Sequence, residues 1–368
     1  MVNNTAKQEW EMYCERELRV ITPLILKHGY TLDTVQPHLQ GERYLMNAVT
    51  TTSGKKLILY GTDSTGLRVV IKVSREKNGI EEINHERTCR TILTHIDFAR
   101  DVFKTPKECA YREEKGYVIS IQEFIPQEIT FLERPIEEQF FFALDAFKSQ
   151  EGAHATTYNH RKLIKNVFGI RTGETYIDSF NSFQKRIGEK VPHETDLLSN
   201  LDEAVKILIS EKNTIEQYAG FLTHTDFVPH NIRIMDDTIY LLDHSSITFG
   251  NKYEGWARFI NFMTLYNPPL QKALEAYVRD NRTPEESQAL HLMRIYRLGE
   301  IIWYYVKTLE KSTGSLLELN TKRVHFWNTV LRHVIDKREL PTEIIEDYKT
   351  NRDTLRSDDE KKRQQGLH

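Results

Sequence analysis

Between Phe221 and Gly250 the chain reads FLTHTDFVPHNIRIMDDTIYLLDHSSITFG, and three oxygen-bearing side chains in it are spaced for shared chemistry. Ile232–Met235 and Thr238–Leu242 read as two apolar-rich strands about a tight turn at Asp236-Asp237. A two-residue turn sets Asn231 opposite Leu242, with Asp243 next to it. Directly opposed residues lie roughly 4.5–5.5 Å apart. Asn231 and Asp243 can therefore hold one small hard cation through oxygen atoms, as Mg²⁺ prefers. Asp226 precedes Asn231 on a loop that Pro229 keeps from becoming helix, and it can project into the same spot. One carboxylate to take a hydroxyl proton, with an Asn and a second Asp on a metal that bridges phosphates, is what phosphoryl transfer needs. Two other readings of the segment stay open. One is a polar hairpin with solvated turn carboxylates. The other is a transition-metal cluster of His224, Asp226, His230, Asp243 and His244.

The pattern H-x-D-x-x-x-x-N followed by a strand-ending Asp matches a kinase catalytic loop and its metal Asp. Here it is His224-Thr-Asp226, Asn231 and Asp243. That chemistry also needs a lysine on a strand, paired with a helix glutamate. Arg68-Val-Val-Ile-Lys72-Val is such a strand, with Val69, Ile71 and Val73 on one face and Val70 and Lys72 on the other. Glu86, mid-helix in HERTCRTIL, is the preferred partner, with Glu82 on the same helical face as the alternative. Tyr117–Pro126 leads into a link where the backbone of Glu123, Phe124 and Ile125 could meet a nucleobase edge. Gln40-Gly41-Glu42-Arg43-Tyr44 would be the turn over the phosphates, and it has one glycine only.

Elements must position these residues. Residues 6–29 read as an amphipathic helix, with Gly29 at its C-cap. Thr34–Leu39, Leu45–Thr51, Lys56–Gly61 and Arg68–Val73 read as short strands split by turn signals, which makes an antiparallel sheet. A helix over 80–94 and a strand over Tyr117–Phe124 follow. From about 135 to 345 the pattern is mostly helical, and Thr283-Pro284-Glu285-Glu286 marks one helix start. The expected organisation is an N-terminal lobe over 1–124, a link over 125–134, a helical C-terminal lobe over 135–350, and a charged, disordered tail over 351–368.

Composition narrows the function classes. Among 368 residues, 50 Lys and Arg against 53 Asp and Glu give a formal charge of −3, which speaks against an electrostatic nucleic-acid binder. No run approaches the roughly 18 apolar residues of a membrane span. The N-terminal residues lack the apolar core of a secretory signal. Three scattered cysteines, Cys14, Cys89 and Cys109, make a disulfide framework unexpected and a reducing cytoplasm the expected location. Oligomeric state is not legible.

Taken together, VVIK, HERTCRTIL, ISIQEFIP, HTDFVPHN and LLDH resemble the aminoglycoside phosphotransferase and choline kinase family of small-molecule kinases, over roughly 34–265. The resemblance implies an α+β, protein-kinase-like fold of two lobes, with a small antiparallel-sheet N-lobe and a larger helical C-lobe. It implies transfer of the γ-phosphate of ATP or GTP to a hydroxyl of a small acceptor such as an aminoglycoside, amino alcohol or sugar. Lys72 would meet the α/β-phosphates, Asp226 would be the base, and Asn231 and Asp243 would hold Mg²⁺. His224 would steady the loop, and His154 would be structural. Two positions depart from the family pattern. Gly255-Trp256-Ala257 stands where Asp-Leu-Ala is usual, with Glu254 as a substitute brace, and the phosphate turn is glycine-poor. A nucleotide-binding pseudokinase acting as an interaction module is the alternative. No A-P-E follows Asp243, which speaks against a protein kinase, and a metal hydrolase would carry zinc or iron. Trp256, Tyr266, Trp303, Tyr304 and Tyr305 are candidates to line an acceptor site.

Overall fold

A computed structural model of the chain describes residues 2–41, 55–96, 104–157 and 160–365. The strand expected at Leu45–Thr51 and the Glu42–Tyr44 half of the expected phosphate turn lie outside the described residues.

Helix α1 (Val2–Lys27) opens the chain. Its apolar residues recur every three or four positions, so Trp10, Tyr13, Cys14, Ile21, Leu24 and Ile25 form one buried stripe. Gly29 follows with φ +87°, a conformation that glycine adopts without strain. The expected strand at Thr34–Leu39 is replaced by a shorter strand β1 (Tyr30–Leu32) and one 3₁₀ turn at Pro37–Leu39. Pro37 cannot donate to a sheet ladder, which favours the turn.

Strands β2 (Leu57–Asp63), β3 (Arg68–Ser74), β4 (Glu108–Glu114) and β5 (Tyr117–Glu123) complete an antiparallel sheet of order β1-β2-β3-β5-β4. Val69, Ile71 and Val73 of β3 are buried with Leu57, Leu59, Ile119 and Ile121 and with the α1 stripe. Val70 and Lys72 point to the opposite face, as strand alternation requires. Helix α2 (Lys77–Thr94) lies between β3 and β5 and carries Glu86 into the interior.

The C-terminal lobe is mostly helical: α3 (Ile136–Thr157), α4 (Arg161–Phe168), α5 (Gly173–Lys190), α6 (Thr195–Ser210) and α7 (Lys212–Gln217). Two small antiparallel pairs follow. Strand β6 (Phe221–His224) pairs with β9 (Ile247–Gly250), and β7 (Ile232–Met235) pairs with β8 (Thr238–Leu241). The remaining helices are α8 (Tyr253–Tyr266), α9 (Pro268–Asn281), α10 (Pro284–Leu309), α11 (Gly314–Ile335), α12 (Thr342–Leu355) and α13 (Asp358–Gln365). Helix α10 starts as its sequence predicts: the Thr283 hydroxyl accepts from the Glu286 N–H at 3.3 Å, and Glu286 Oε2 accepts from the Thr283 N–H at 3.2 Å.

The fold is therefore α+β, with a five-stranded sheet lobe and a larger helical lobe. Their cores are distinct but cross over in both directions: Cys89 and Leu93 of α2 and Ile96 just after it belong to the C-lobe core, and Leu355 of α12 packs against the N-lobe core. Leu316 and Leu319 of α11 belong to the N-lobe core around α1. Up to Gln365 the described residues beyond 351 are largely helical, in α12 and α13, where disorder was expected. Polar composition hid a helix held by charge pairs, among them Lys7–Asp359 at 3.2 Å.

Candidate functional site

The hairpin that carries the chemistry forms in the register its sequence requires. Ile232 pairs with Leu241 and Met235 with Thr238. Asp236 and Asp237 both take positive φ, +48° and +57°, the geometry of a type I′ turn whose twist matches the flanking strands. One step beyond the ladder, the Leu242 N–H donates to the Asn231 carbonyl at 2.9 Å. Asn231 and Asp243 are thereby delivered to one end of the hairpin.

The loop before it is pinned from both sides. The Thr225 N–H donates to the Ser246 carbonyl at 2.8 Å, and the buried Phe227 and Val228 anchor its middle in the C-lobe core. His224 is fully buried, with its N–H donating to Gln150 Oε1 at 3.0 Å and Nε2 at 2.8 Å from the Leu242 carbonyl. That histidine ties the loop to the strand leading into Asp243. It is not gathered with other ligands: among the described residues, no group of three or more His, Cys, Asp or Glu side chains could hold a metal ion.

Asn231 Nδ2 donates to both the carbonyl and Oδ2 of Asp226, each at 2.9 Å. With its nitrogen so engaged, its amide oxygen is the atom suited to a cation. Asp243 sits in the left-handed region at φ +55°, and its carboxylate accepts from Ser245 Oγ at 2.5 Å and Ser246 Oγ at 3.0 Å. Asn231 and Asp243 together present hard oxygen donors, a set that fits Mg²⁺ rather than a softer metal.

From the N-lobe, Lys72 Nζ reaches both carboxylate oxygens of Glu86 at 2.5 Å. The choice between the two helix glutamates is thus resolved by geometry, since Glu82 pairs instead with Lys56. Burial alone would raise the Glu86 pKa, but the Lys72 and Lys56 ammoniums outweigh it and bring it down to about 2. Helix α2 also packs on the turn after Asp243, so one helix braces both the lysine pair and the segment that carries Asp243.

These residues face one cleft of about 680 Å³ between the lobes. Ile58 and Val70 form its upper wall, and Glu123, Phe124 and Ile125 run along its linking edge. Lys72, Glu86, Asp226, Asn231 and Asp243 line it as well. The Glu123 N–H donates to the Lys107 carbonyl at 2.9 Å and the Phe124 N–H to the Arg68 carbonyl at 3.1 Å. Gly41 takes φ +65° and lies under the C-terminal helix. Of the five aromatic candidates, only Tyr266 lines the cleft, stacked on Phe262 at 4.2 Å. Trp256 stacks on Phe147 at 4.2 Å inside the core, and Trp303 is buried there too, because aromatics at helical spacing serve packing first.

Four contributors escape sequence reading. Arg258 on α8 donates from Nε to Asp226 Oδ1 at 2.9 Å. Burial would raise the Asp226 pKa, but Arg258, then His230 and Arg297, hold it far below the usual carboxylate range. Arg233 on β7 faces the cleft, a cation where strand alternation only says "partly buried". Arg363 and Gln364 reach the cleft from α13. None has a local signal, because each is brought to the cleft only by the fold.

The departure at Gly255 has a steric cause. A Cβ there would lie 2.8 Å from the His224 carbonyl and 3.0 Å from Thr223 Oγ1. Helix α8 is pressed onto β6 by its backbone, with no room for an Asp. Glu254 does not take over the loop. It is fully buried and receives Arg171, the Tyr176 hydroxyl at 2.6 Å and Arg297 at 3.2 Å.

No protein-family model matches the chain, and no curated protein matches it in sequence. Solved structures match in fold. A thermostable mutant of aminoglycoside phosphotransferase APH(4)-Ia aligns with a TM-score of 0.59 at 15% identity, over 85% of this chain and 97% of that one. Macrolide 2′-phosphotransferase MphH from Brachybacterium faecium aligns at 0.51 and 14%, over 84% and 98%. Amicoumacin kinase hAmiN, in complex with AMP-PNP, Ca²⁺ and Ami, aligns at 0.51 and 12%, over 77% and 86%. The chain thus shares the protein-kinase-like two-lobe fold found in several small-molecule phosphotransferases.

Proposed function

We propose that the chain is a small-molecule kinase that transfers the γ-phosphate of ATP or GTP to a hydroxyl of a small acceptor. The observation that carries this reading is convergence. The Lys72–Glu86 pair from one lobe and Asp226, Asn231 and Asp243 from the other line a single cleft. The fold neighbours, two phosphotransferases and a kinase of small molecules, support the same class.

In this reading the nucleobase lies between Ile58 and Val70 above and Arg233 below, with its edge on the Glu123 carbonyl and the Ile125 backbone. Glu86 fixes the Lys72 ammonium where α/β-phosphate oxygens arrive. Asn231 and Asp243 would hold Mg²⁺, which when bound neutralises charge on the phosphates. Asp226 accepts the acceptor's hydroxyl proton. Because Arg258 and Asn231 both hold its carboxylate, it is oriented before substrate arrives. The acceptor would lie against the Phe262–Tyr266 stack and His230, beside Asp226. Among the described residues, no helix is long and apolar enough to cross a membrane.

The nucleotide half of the reading is tested by thermal unfolding with ATP, GTP or neither, each with and without Mg²⁺. A ligand at 100 times its Kd stabilises the folded state by about 2.7 kcal/mol. Wild type should show a shift that needs Mg²⁺, and Asp243→Ala should lose most of it. No shift with either nucleotide would remove the kinase reading.

Arg258 yields a pH prediction. Its guanidinium depresses the Asp226 pKa, so the carboxylate stays ionised and competent well below neutral pH. Arg258→Gln lets that pKa rise. The acid limb of the kcat/KM profile should then move upward by about one to three pH units. An unmoved limb would show that another group sets it.

A further inference from the structure

The last two helices run from one lobe to the other. On the C-lobe side, Tyr348 of α12 stacks on Phe326 at 4.1 Å, and the Arg352 guanidinium lies 5.6 Å from the Tyr266 ring centre. Leu355, at the end of α12, already packs against the N-lobe core. Helix α13 then settles on the N-lobe, where Asp359 meets Lys7 at 3.2 Å. Its Glu360 is only 4% exposed. The Glu360 carboxylate and the Arg363 side chain cover Gly41 so closely that a Cβ there would lie 2.7 Å from Glu360 Oε2 and 3.1 Å from Arg363 Cδ.

The sequence of α13, DDEKKRQQ, has no apolar face. An isolated helix this short is marginal in water, so its position reflects its charge contacts. The central contact is a two-pronged pair. Arg363 Nη2 and Nε donate to Glu360 Oε1 and Oε2 at 2.6 and 2.8 Å, and Gln364 Nε2 donates to Oε1 at 3.0 Å. Arg363 and Gln364 line the same cleft as Lys72, Asp226 and Asp243. The two cleft lysines are each engaged with a carboxylate, Lys72 with Glu86 and Lys56 with Glu82. A triphosphate entering the cleft brings several negative charges that donors must neutralise. A guanidinium fork matches phosphate oxygens as well as it matches a carboxylate.

We propose that α13 is a strap across the mouth of the cleft, and that Arg363 is a phosphate-binding residue for the nucleotide, with Glu360 occupying its fork until a phosphate does. This rests on the reading of the cleft as a nucleotide site. Arg363 then supplies a guanidinium to the phosphates from α13, beside Gly41.

The test is calorimetric titration of full-length wild type, Arg363→Ala, Arg363→Lys and the double variant Glu360→Gln/Arg363→Ala. The ligands are Mg²⁺-ATP or Mg²⁺-GTP, whichever wild type binds more tightly, and the matching nucleoside. Arg363→Ala should weaken triphosphate binding by about 10- to 100-fold, the worth of a charged hydrogen-bonded contact. Nucleoside binding should be unchanged, which also shows that the pocket remains folded. Arg363→Lys should fall between, and the double variant should stay as weak as the single. Wild-type affinity in Arg363→Ala would overturn the proposal. So would recovery in the double variant, which would mean that Arg363 only neutralises Glu360. Tighter binding in Arg363→Ala would make the strap a plug instead, and overturn it too. A wild type that binds no nucleotide would remove the nucleotide reading itself, a result distinct from all of these.

Discussion

Asp226→Asn should lower kcat by about 10²–10⁴-fold, the range for removal of a positioned general base, with Mg²⁺–nucleotide binding retained. The separation follows from geometry. Asp226 is held by Asn231 Nδ2 and Arg258 Nε at 2.9 Å each. An amide at 226 can still accept from Asn231, so the loop keeps its shape, but it cannot take a proton. The phosphates are assigned to other groups: Lys72, Arg363 and the oxygen donors Asn231 and Asp243. Single-turnover transfer measured beside equilibrium nucleotide binding checks both halves. Near wild-type turnover would mean that Asp226 is not the base. Loss of nucleotide binding would mean that the site is organised differently.

The second large effect is on stability. Glu254→Ala should cost about 3–5 kcal/mol, the range for removing one partner of a buried ion pair. Glu254 has no exposed surface and gathers Arg171, Arg297 and the Tyr176 hydroxyl. Tyr176 OH in turn accepts from the Asn251 N–H at 2.9 Å, so the network fixes the start of α8. Removing the carboxylate strands Arg297, although Glu300 at 2.6 Å keeps part of its pairing. Glu254→Gln keeps an acceptor for Tyr176 and should recover a fraction of the loss. Denaturant midpoints for wild type and the two variants measure it. A change below about 1 kcal/mol, the worth of an exposed pair, would mean that the network is not effectively buried.

What the sequence made legible was local. The β7–β8 hairpin could be registered because its turn has two residues, and the register placed Asn231 beside the entry to Asp243. Lys72 could be aimed because strand alternation put it opposite Val69, Ile71 and Val73. The start of α10 could be placed because Thr283, Pro284 and Glu286 each satisfy an early backbone requirement. What stayed hidden depended on distant partners. Strands β6 and β9 have four residues each, too few to show an alternation of their own. Strand β4, Glu108–Glu114, is a charged edge strand, so it shows no apolar alternation. Arg258 meets Asp226 across 32 positions, and no local pattern marks such a contact. The tail looked disordered because its composition is polar, yet Glu360 is buried and its carboxylate accepts from Arg363 and Gln364. At Gly255, the missing Asp looked like a weakness. The close approach of α8 to β6 shows it to be a condition of packing.

The crossover of Leu316 and Leu319 into the N-lobe core has a mechanical consequence. The lobes are joined by the covalent link after Glu123, by the α11 and α12 contacts with the α1 side of the sheet, and by α2, whose Cys89 and Leu93 sit in the C-lobe core. A body fastened at several separated points resists swivelling about any one of them. Lys72 is thereby kept in line with Asp226 and Asp243 by more than the covalent hinge.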